Sequence, residues 1–287
     1  MGAAAIGCFS GLAWADATAL AGAPIAAWLL PVALVAATGG GAEVVRLAAA
    51  RGIVLAAWLV PLGAAAITSA PAVAVWTGAA RATEPLAPIG GASVACAAVL
   101  GICFGTEVLR YAPAGAALVR AGASALAAIA IGLPLAFIVA LRLVAPNTGG
   151  WRQLVPLVSL IAVVKASDIA AYAVGSLVGR HRMAPIVSPG KTWEGAAAAL
   201  VAAVAVAWLV CERLADGGTR PVGGWLVFGV AVGLAGIAGD LSESLVKRDL
   251  QAKDSGGALG GMGGFLDLVD SLLLAAPVAW VLWAIGR

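Results

Sequence analysis

Charge is scarce in this chain. Asp, Glu, Lys and Arg make up 11% of its 287 residues, against roughly 25% in a soluble domain, while 62% are hydrophobic. So little charge excludes a water-facing surface over most of the length. Histidine is scarcer still, with His181 alone, and the four cysteines (Cys8, Cys96, Cys103, Cys211) form no CxxC and no Cys/His spacing. All four lie in apolar segments and read as small buried hydrophobes. The net charge of +3 is too small to suggest a nucleic-acid partner. No basic n-region precedes the first apolar run, so that run reads as a candidate span rather than a cleavable signal. There is no internal repeat of fixed period, no disordered tail and no soluble domain.

What the chain does have is a series of apolar runs of about 17–25 residues, long enough to cross a hydrocarbon core as helices. The expected fold is all-α, a polytopic transmembrane helical bundle of about 8–9 spans. Candidate spans are roughly 3–21, 25–41, 53–76, 88–105, 121–144, 153–178, 194–211, 222–239 and 265–286. The first holds Asp16 and reads equally as a re-entrant or edge helix. Breakers such as GGGAEVVRLAAARG and APNTGG separate the spans. Counting spans puts the loops around Arg180–Lys191 and Lys247–Lys253 on one side, with Arg46, Arg51, Arg110 and Arg120. That basic side is expected to be cytosolic. Arg142 and Arg152, on the other side, fit the bias less well.

Three polar constellations break the apolar background. In KASDIAAYAVGSLVGRHR, Asp168 sits well inside a span, where an ionised carboxylate costs at least ~2.5 kcal/mol unless paired or hydrated. Lys165, Tyr172, Gly175 and Gly179 share its helix face. Either Lys165 neutralises Asp168 within the bundle, or the acid marks a site. In PIVSPGKTWEG, a turn on Ser188-Pro189-Gly190 is expected to precede a helix, with Lys191 at the turn and Glu194 in the first helical turn. This suits a phosphate at a helix N-terminus, or an ordinary basic loop with Trp193 as interface anchor. The glycine spacing is not that of a Walker A loop.

The third, GDLSESLVKRDLQAKDSGGALGGMGGFLDLVDS, carries nine of the 31 charged side chains. Asp240, Ser244, Lys247 and Arg248 share one helix face, and Asp267, Asp270 and Ser271 share another. Lys253-Asp254 and the glycines 256–264 lie between. Carboxylates converging on a basic cluster suit Mg²⁺ with substrate phosphates. A solvated loop binding anionic headgroups would explain the lysines but not the aspartates.

Taken in order, these blocks resemble the phosphatidate cytidylyltransferase (CDP-diacylglycerol synthase) family. The resemblance rests on Asp168-x-x-Ala171-Tyr172-x-x-Gly175-x-x-x-Gly179-Arg180, then Ser188-Pro189-x-Lys191-Thr192-Trp193-Glu194-Gly195. The last block is Ser244-x-x-Lys247-Arg248, Lys253-Asp254 and Asp267-x-x-Asp270. It departs at three positions. Met262 stands for the family's loop histidine, Leu268 for its arginine between the two aspartates, and Gly190 for the first lysine of its Lys-Lys pair.

The resemblance implies transfer of CMP from CTP to phosphatidate, giving CDP-diacylglycerol and pyrophosphate. It makes Asp240, Lys247, Arg248, Lys253, Asp254, Asp267 and Asp270 the expected catalytic set. Asp240, Asp267 and Asp270 would hold Mg²⁺, and a second cation such as K⁺ is also implied. Asp168, Tyr172, Ser188, Lys191, Ser244, Gly263 and Gly264 are the expected substrate-binding residues. Residues 1–120 would form N-terminal transmembrane helices and 121–287 a C-terminal catalytic region within one integral membrane unit. Expected partners are CTP, phosphatidate or another lipid phosphate, and membrane lipids. A homodimer is left open, and the expected place is the inner (plasma) membrane with the site facing the cytosol. Other readings are a transferase for another lipid phosphate or a polyprenol, a non-catalytic homologue that binds lipid or nucleotide, and a transporter.

Overall fold

The computed structural model describes residues 2–18, 22–81, 84, 86–110, 116–144, 150–214, 220–251 and 264–286. Among them the chain is almost wholly helical: α1 Gly2–Ala17, α2 Leu30–Ala49, α3 Leu59–Trp76, α4 Ala87–Leu109, α5 Ala117–Leu143, α6 Val155–Val178, α7 Trp193–Trp208, α8 Gly224–Asp249 and α9 Phe265–Ile285. Several helices begin where sequence chemistry says they can. Pro31, Pro88 and Pro156 occupy the first turns of α2, α4 and α6, where a missing N–H costs nothing.

Eight helices among the described residues are long and apolar enough to cross a bilayer. Their outer faces agree. Leu177, Val108 and Val201 are 82%, 73% and 71% exposed on the protein alone. Aliphatic surface of this extent is costly against water and neutral against hydrocarbon. The protein is an integral membrane protein.

Several boundaries differ from expectation. The first run gives a 16-residue helix, shorter than the eight spans. The segment GGGAEVVRLAA is no breaker; it is the interior and C-terminal half of α2. The eighth span does not stop at residue 239 but continues to Asp249, so its polar end is unbroken helix. A two-stranded antiparallel hairpin, which the apolar pattern does not announce, joins α6 to α7. It pairs β1 (Arg182–Ala184) with β2 (Ser188–Thr192). Ser188-Pro189-Gly190 is therefore extended, and the turn falls on residues 185–187.

The chain forms two compact units. One comprises residues 1–28, 141–249 and 270–287; the other comprises 29–140 and 250–269. In the second unit α2, α3, α4 and most of α5 close over Leu59, Ile67, Val99, Cys103 and small alanines. In the first unit, Leu160, Val163, Ala199, Ala203 and Val232 are buried. Trp283 meets Phe228 edge-on at 6.1 Å and donates its Nε1–H to Ser159 Oγ at 3.0 Å.

The first unit also explains the misplaced Arg142. Its Nε donates to Asp16 Oδ2 at 2.5 Å, with both side chains almost wholly buried. Asp16 further accepts from the backbone N–H groups of Ala26 and Trp28. Arg142 is a buried counter-ion, not a loop charge, so it drops out of the positive-side bias. Asp16→Ala should destabilise the protein by about 3 kcal/mol, because it leaves a buried guanidinium unpaired. Asp16→Leu/Arg142→Leu should recover most of that loss. Thermal unfolding of the three proteins in detergent tests the pair.

Candidate active site

The site grows from the contact between α8 and α9. Asp240, Glu243 and Lys247 stand at i, i+3 and i+7, on one face of α8. Gly239 lies at the crossing: a Cβ there would be 2.7 Å from the Asp270 carbonyl oxygen. Only a glycine lets the backbones approach this closely. The approach brings Asp270 beside Asp240 and Glu243, with one oxygen from each within 4.8 Å of the others.

Charge around the trio is nearly balanced. Glu243 is buried, and its Oε2 meets Lys247 Nζ at 3.0 Å. Asp240 Oδ2 meets Lys191 Nζ at 2.9 Å. Asp270 Oδ1 accepts from the backbone N–H of Ser271 at 2.5 Å. The Ser271 hydroxyl lies 3.1 Å from Asp270 Oδ1 and 3.2 Å from Asp168 Oδ1, so its one hydrogen is shared between them. Asp168 in turn pairs with Lys165 at 3.3 Å. The self-neutralising pair and the site are thus one network. Among the described residues four carboxylates face three ammonium groups, and Glu243 Oε1 is buried with no hydrogen-bond partner. One surplus negative charge and one orphaned oxygen are what a hard divalent cation would satisfy, so the residues present fit such an ion.

The hairpin delivers Lys191. Thr192 caps α7, its Oγ1 accepting from Gly195 N–H at 3.2 Å. Glu194 accepts from the backbone N–H groups of Arg180 and His181 and meets His181 Nδ1 at 2.6 Å, which folds the end of α6 back onto α7. Gly179 makes room, since a Cβ there would overlap Thr192. Arg248 Nε donates to the Val187 carbonyl at 3.3 Å, holding the hairpin turn against α8.

The structure therefore gathers Asp168, Lys191, Asp240, Lys247 and Asp270, with Arg248 at the edge. Asp267 belongs to the other compact unit, where its Oδ2 accepts from the N–H of Gly264 at 2.7 Å. Ser188 and Ser244 are half-buried, and Tyr172 is exposed on α6. Lys253, Asp254, Gly263 and Met262 lie outside the described residues. Of the other departures, Gly190 is open on β2 and Leu268 is exposed. Glu243 is the member that spacing alone passed over. Its signal was present: it stands three residues after Asp240 and four before Lys247.

The family model for the Cytidylyltransferase family matches residues 5–285. The chain belongs to this family. It is 42% identical over 159 residues to a phosphatidate cytidylyltransferase of Mycobacterium bovis, covering 55% of this chain and 49% of that one. A phosphatidate cytidylyltransferase of Mycobacterium leprae is 42% identical over 160 residues, 56% of this chain and 49% of that one. One of Brucella suis is 46% identical over 131 residues, 45% of this chain and 47% of that one. The chain spans about half the length of the curated relatives it matches.

For this cytidylyltransferase-family protein the α8–α9 contact gives a direct test. Gly239→Ala should cost about 1–3 kcal/mol through overpacking and weaken divalent-ion binding. Gly190→Ala, whose Cβ would meet nothing within 4 Å, should change neither. Thermal unfolding and Mn²⁺ titration of both variants check this.

Proposed function

We propose that the protein transfers CMP from CTP to phosphatidate, forming CDP-diacylglycerol and pyrophosphate; the relatives it matches are named phosphatidate cytidylyltransferases. The observation that carries this reading is the acidic trio Asp240, Glu243 and Asp270, with its orphaned oxygen, set among lysines in a cytidylyltransferase-family chain.

The chemistry asks little of a general base. The lipid phosphate is already an anionic nucleophile. One of its oxygens attacks the α-phosphorus of CTP, the bond from that phosphorus to the bridging oxygen breaks, and its electron pair leaves on pyrophosphate. The difficulty is bringing two anions together and stabilising the leaving group. Asp240, Glu243 and Asp270 would hold Mg²⁺, and the family resemblance adds Asp267 to the expected ligands; when bound, the ion neutralises charge on the reacting phosphates. Lys191 and Lys247 each carry three donors and no acceptor. Each can keep its carboxylate and still donate to a phosphate. Arg248 adds a fork for a phosphate at the solvent side. Ser188 and Lys191 close over the nucleotide, and the family resemblance adds Lys253, to neutralise phosphate, and Asp254 to the catalytic set. The second cation, K⁺, belongs to the same reading.

The exposed aliphatic faces suit diacyl tails arriving sideways from the bilayer, while CTP arrives from water. The basic side, with Lys191 and Arg248, faces the cytosol, and the membrane is the inner (plasma) membrane.

Purified protein with radiolabelled CTP, Mg²⁺ and a panel of lipid phosphates should form labelled CDP-diacylglycerol from phosphatidate. Product from another lipid phosphate alone would reassign the acceptor, and no product from any would overturn the transferase. Asp267→Asn, Asp270→Asn and Glu243→Gln should each lower Mg²⁺-dependent transfer, by roughly 100-fold where a preorganised group at the reacting phosphates is lost. Full activity in these variants, with intact folding, would remove the metal assignment.

A further inference from the structure

We propose that Ser271 is a positioning residue: its hydroxyl ties Asp168 of α6 to Asp270 of α9 and so fixes how the Asp270 carboxylate is presented to Asp240 and Glu243. The proposal rests on the metal-holding reading above, and all five residues belong to one compact unit. Ser271 is 2% exposed, so bulk water does not satisfy its hydroxyl. A serine inside a helix can satisfy that group on its own backbone, on a carbonyl three or four residues back. Ser159, Ser176 and Ser242 do so in this unit, donating to the carbonyls of Pro156, Ala173 and Ala238 at 2.8, 3.0 and 2.8 Å. Ser271 departs from this habit. Its hydroxyl lies instead between two carboxylates, 3.1 Å from Asp270 Oδ1 and 3.2 Å from Asp168 Oδ1.

The Ser271 backbone is seated separately, against α8. Gly236 and Gly239 stand at i and i+3 on that helix and so share a face. A Cβ at Gly239 would be 3.2 Å from Ser271 Cα, and one at Gly236 would be 3.8 Å from the Ser271 carbonyl oxygen. A bare strip of α8 thus receives the backbone while α6 receives the hydroxyl. Ser271 is the point at which α6, α8 and α9 are tied together beside the acids.

Consequences for the ligand set follow from counting donors. Asp270 Oδ1 accepts from the Ser271 N–H at 2.5 Å and faces the Ser271 hydroxyl as well. One hydrogen bond lets a carboxylate pivot about the bonded oxygen. A second donor from another direction resists the pivot and keeps Oδ2 turned one way. Asp168 loses less if the hydroxyl goes. Its side chain is 36% exposed, and its Oδ2 keeps Lys165 at 3.3 Å. Removing the hydroxyl therefore loosens Asp270 while leaving Asp168 paired and open to water. Ser271 touches neither substrate nor reacting atoms in this scheme. It acts through Asp270.

The test compares wild type, Ser271→Ala and Ser271→Thr as purified chains. Alanine keeps the backbone N–H and removes the hydroxyl; threonine keeps both. Mn²⁺ affinity is read by electron paramagnetic resonance without substrate, alongside thermal unfolding in detergent. Ser271→Ala should bind Mn²⁺ roughly 10-fold more weakly, as for other groups that orient metal ligands, and Ser271→Thr should recover most of the loss. The Mg²⁺ needed for half-maximal CMP transfer should rise in parallel. A folded Ser271→Ala protein with wild-type Mn²⁺ affinity would overturn the proposal, whatever its melting temperature. So would a folded Ser271→Thr protein as weak as Ser271→Ala. If the alanine variant does not fold, Ser271→Cys, with its weak S–H donor, carries the same expectation and the same overturning result. Wild type that binds no Mn²⁺ also overturns the role. Wild type that binds Mn²⁺ but transfers no CMP overturns the proposed activity and leaves the positioning role standing.

Discussion

Like charges close together set the terms for this protein. Two unit charges about 4 Å apart repel by about 4 kcal/mol at the effective dielectric near a protein surface. Asp240, Glu243 and Asp270 come this close only because their surroundings answer the repulsion. Lys247 answers it from the same helix, one turn on. Lys191 answers it from a hairpin 49 residues before Asp240 in the chain. Ser271 gives Asp270 its backbone N–H, and Gly239 allows the backbone contact that makes the cluster possible. The unbroken α8 is part of the same solution: had the helix stopped at residue 239, Glu243 and Lys247 would have no fixed direction.

The same constraint decides where phosphates can be met. A helix N-terminus is a ready anion site, and α9 offers one. Its first donors are already taken, however, by Glu43 and by Asp267. The α7 N-terminus is tied to Thr192, and Glu194 is turned back to the chain before the hairpin. Backbone dipoles are thus used to build the site. Among the described residues the hairpin brings a lysine side chain, Lys191, to Asp240.

Much of this was legible in the sequence, for identifiable reasons. Eight spans follow from apolar runs, because hydrocarbon leaves a backbone few alternatives to helix. Asp168 stood out because a carboxylate in such a run is costly, and Asp240, Asp267 and Asp270 because they share helix faces flanking a basic cluster. The rest depended on tertiary contact. Three and four residues after Asp240 lie on the same flank of α8, so spacing admits Glu243 and Ser244 alike; the position of α9 against Gly239 selects Glu243. Ser188-Pro189-Gly190 carries a strong turn signal, yet pairing with Arg182–Ala184 moves the turn to residues 185–187. The glycines before Glu43 read as a breaker by soluble-protein habits. Within a membrane helix they are packing surface, and Gly39 shows the use, admitting Phe265.

Charge pairing separates structure from chemistry in a chain like this. Asp16 with Arg142 and Glu107 with Arg120 each match one acid to one base. Such pairs cancel, and a cancelled pair needs no ligand. The α8–α9 cluster does not cancel. Asp168, Asp240 and Glu243 each have a lysine, whereas among the described residues Asp270 is met by hydrogen bonds from Ser271 and Glu243 Oε1 has no hydrogen-bond partner. A partly buried surplus of negative charge is destabilising unless something answers it. It is worth keeping where a cation shared with a substrate phosphate completes it. The imbalance, rather than the number of acids, is what supports the proposed site at this end of α8 and α9.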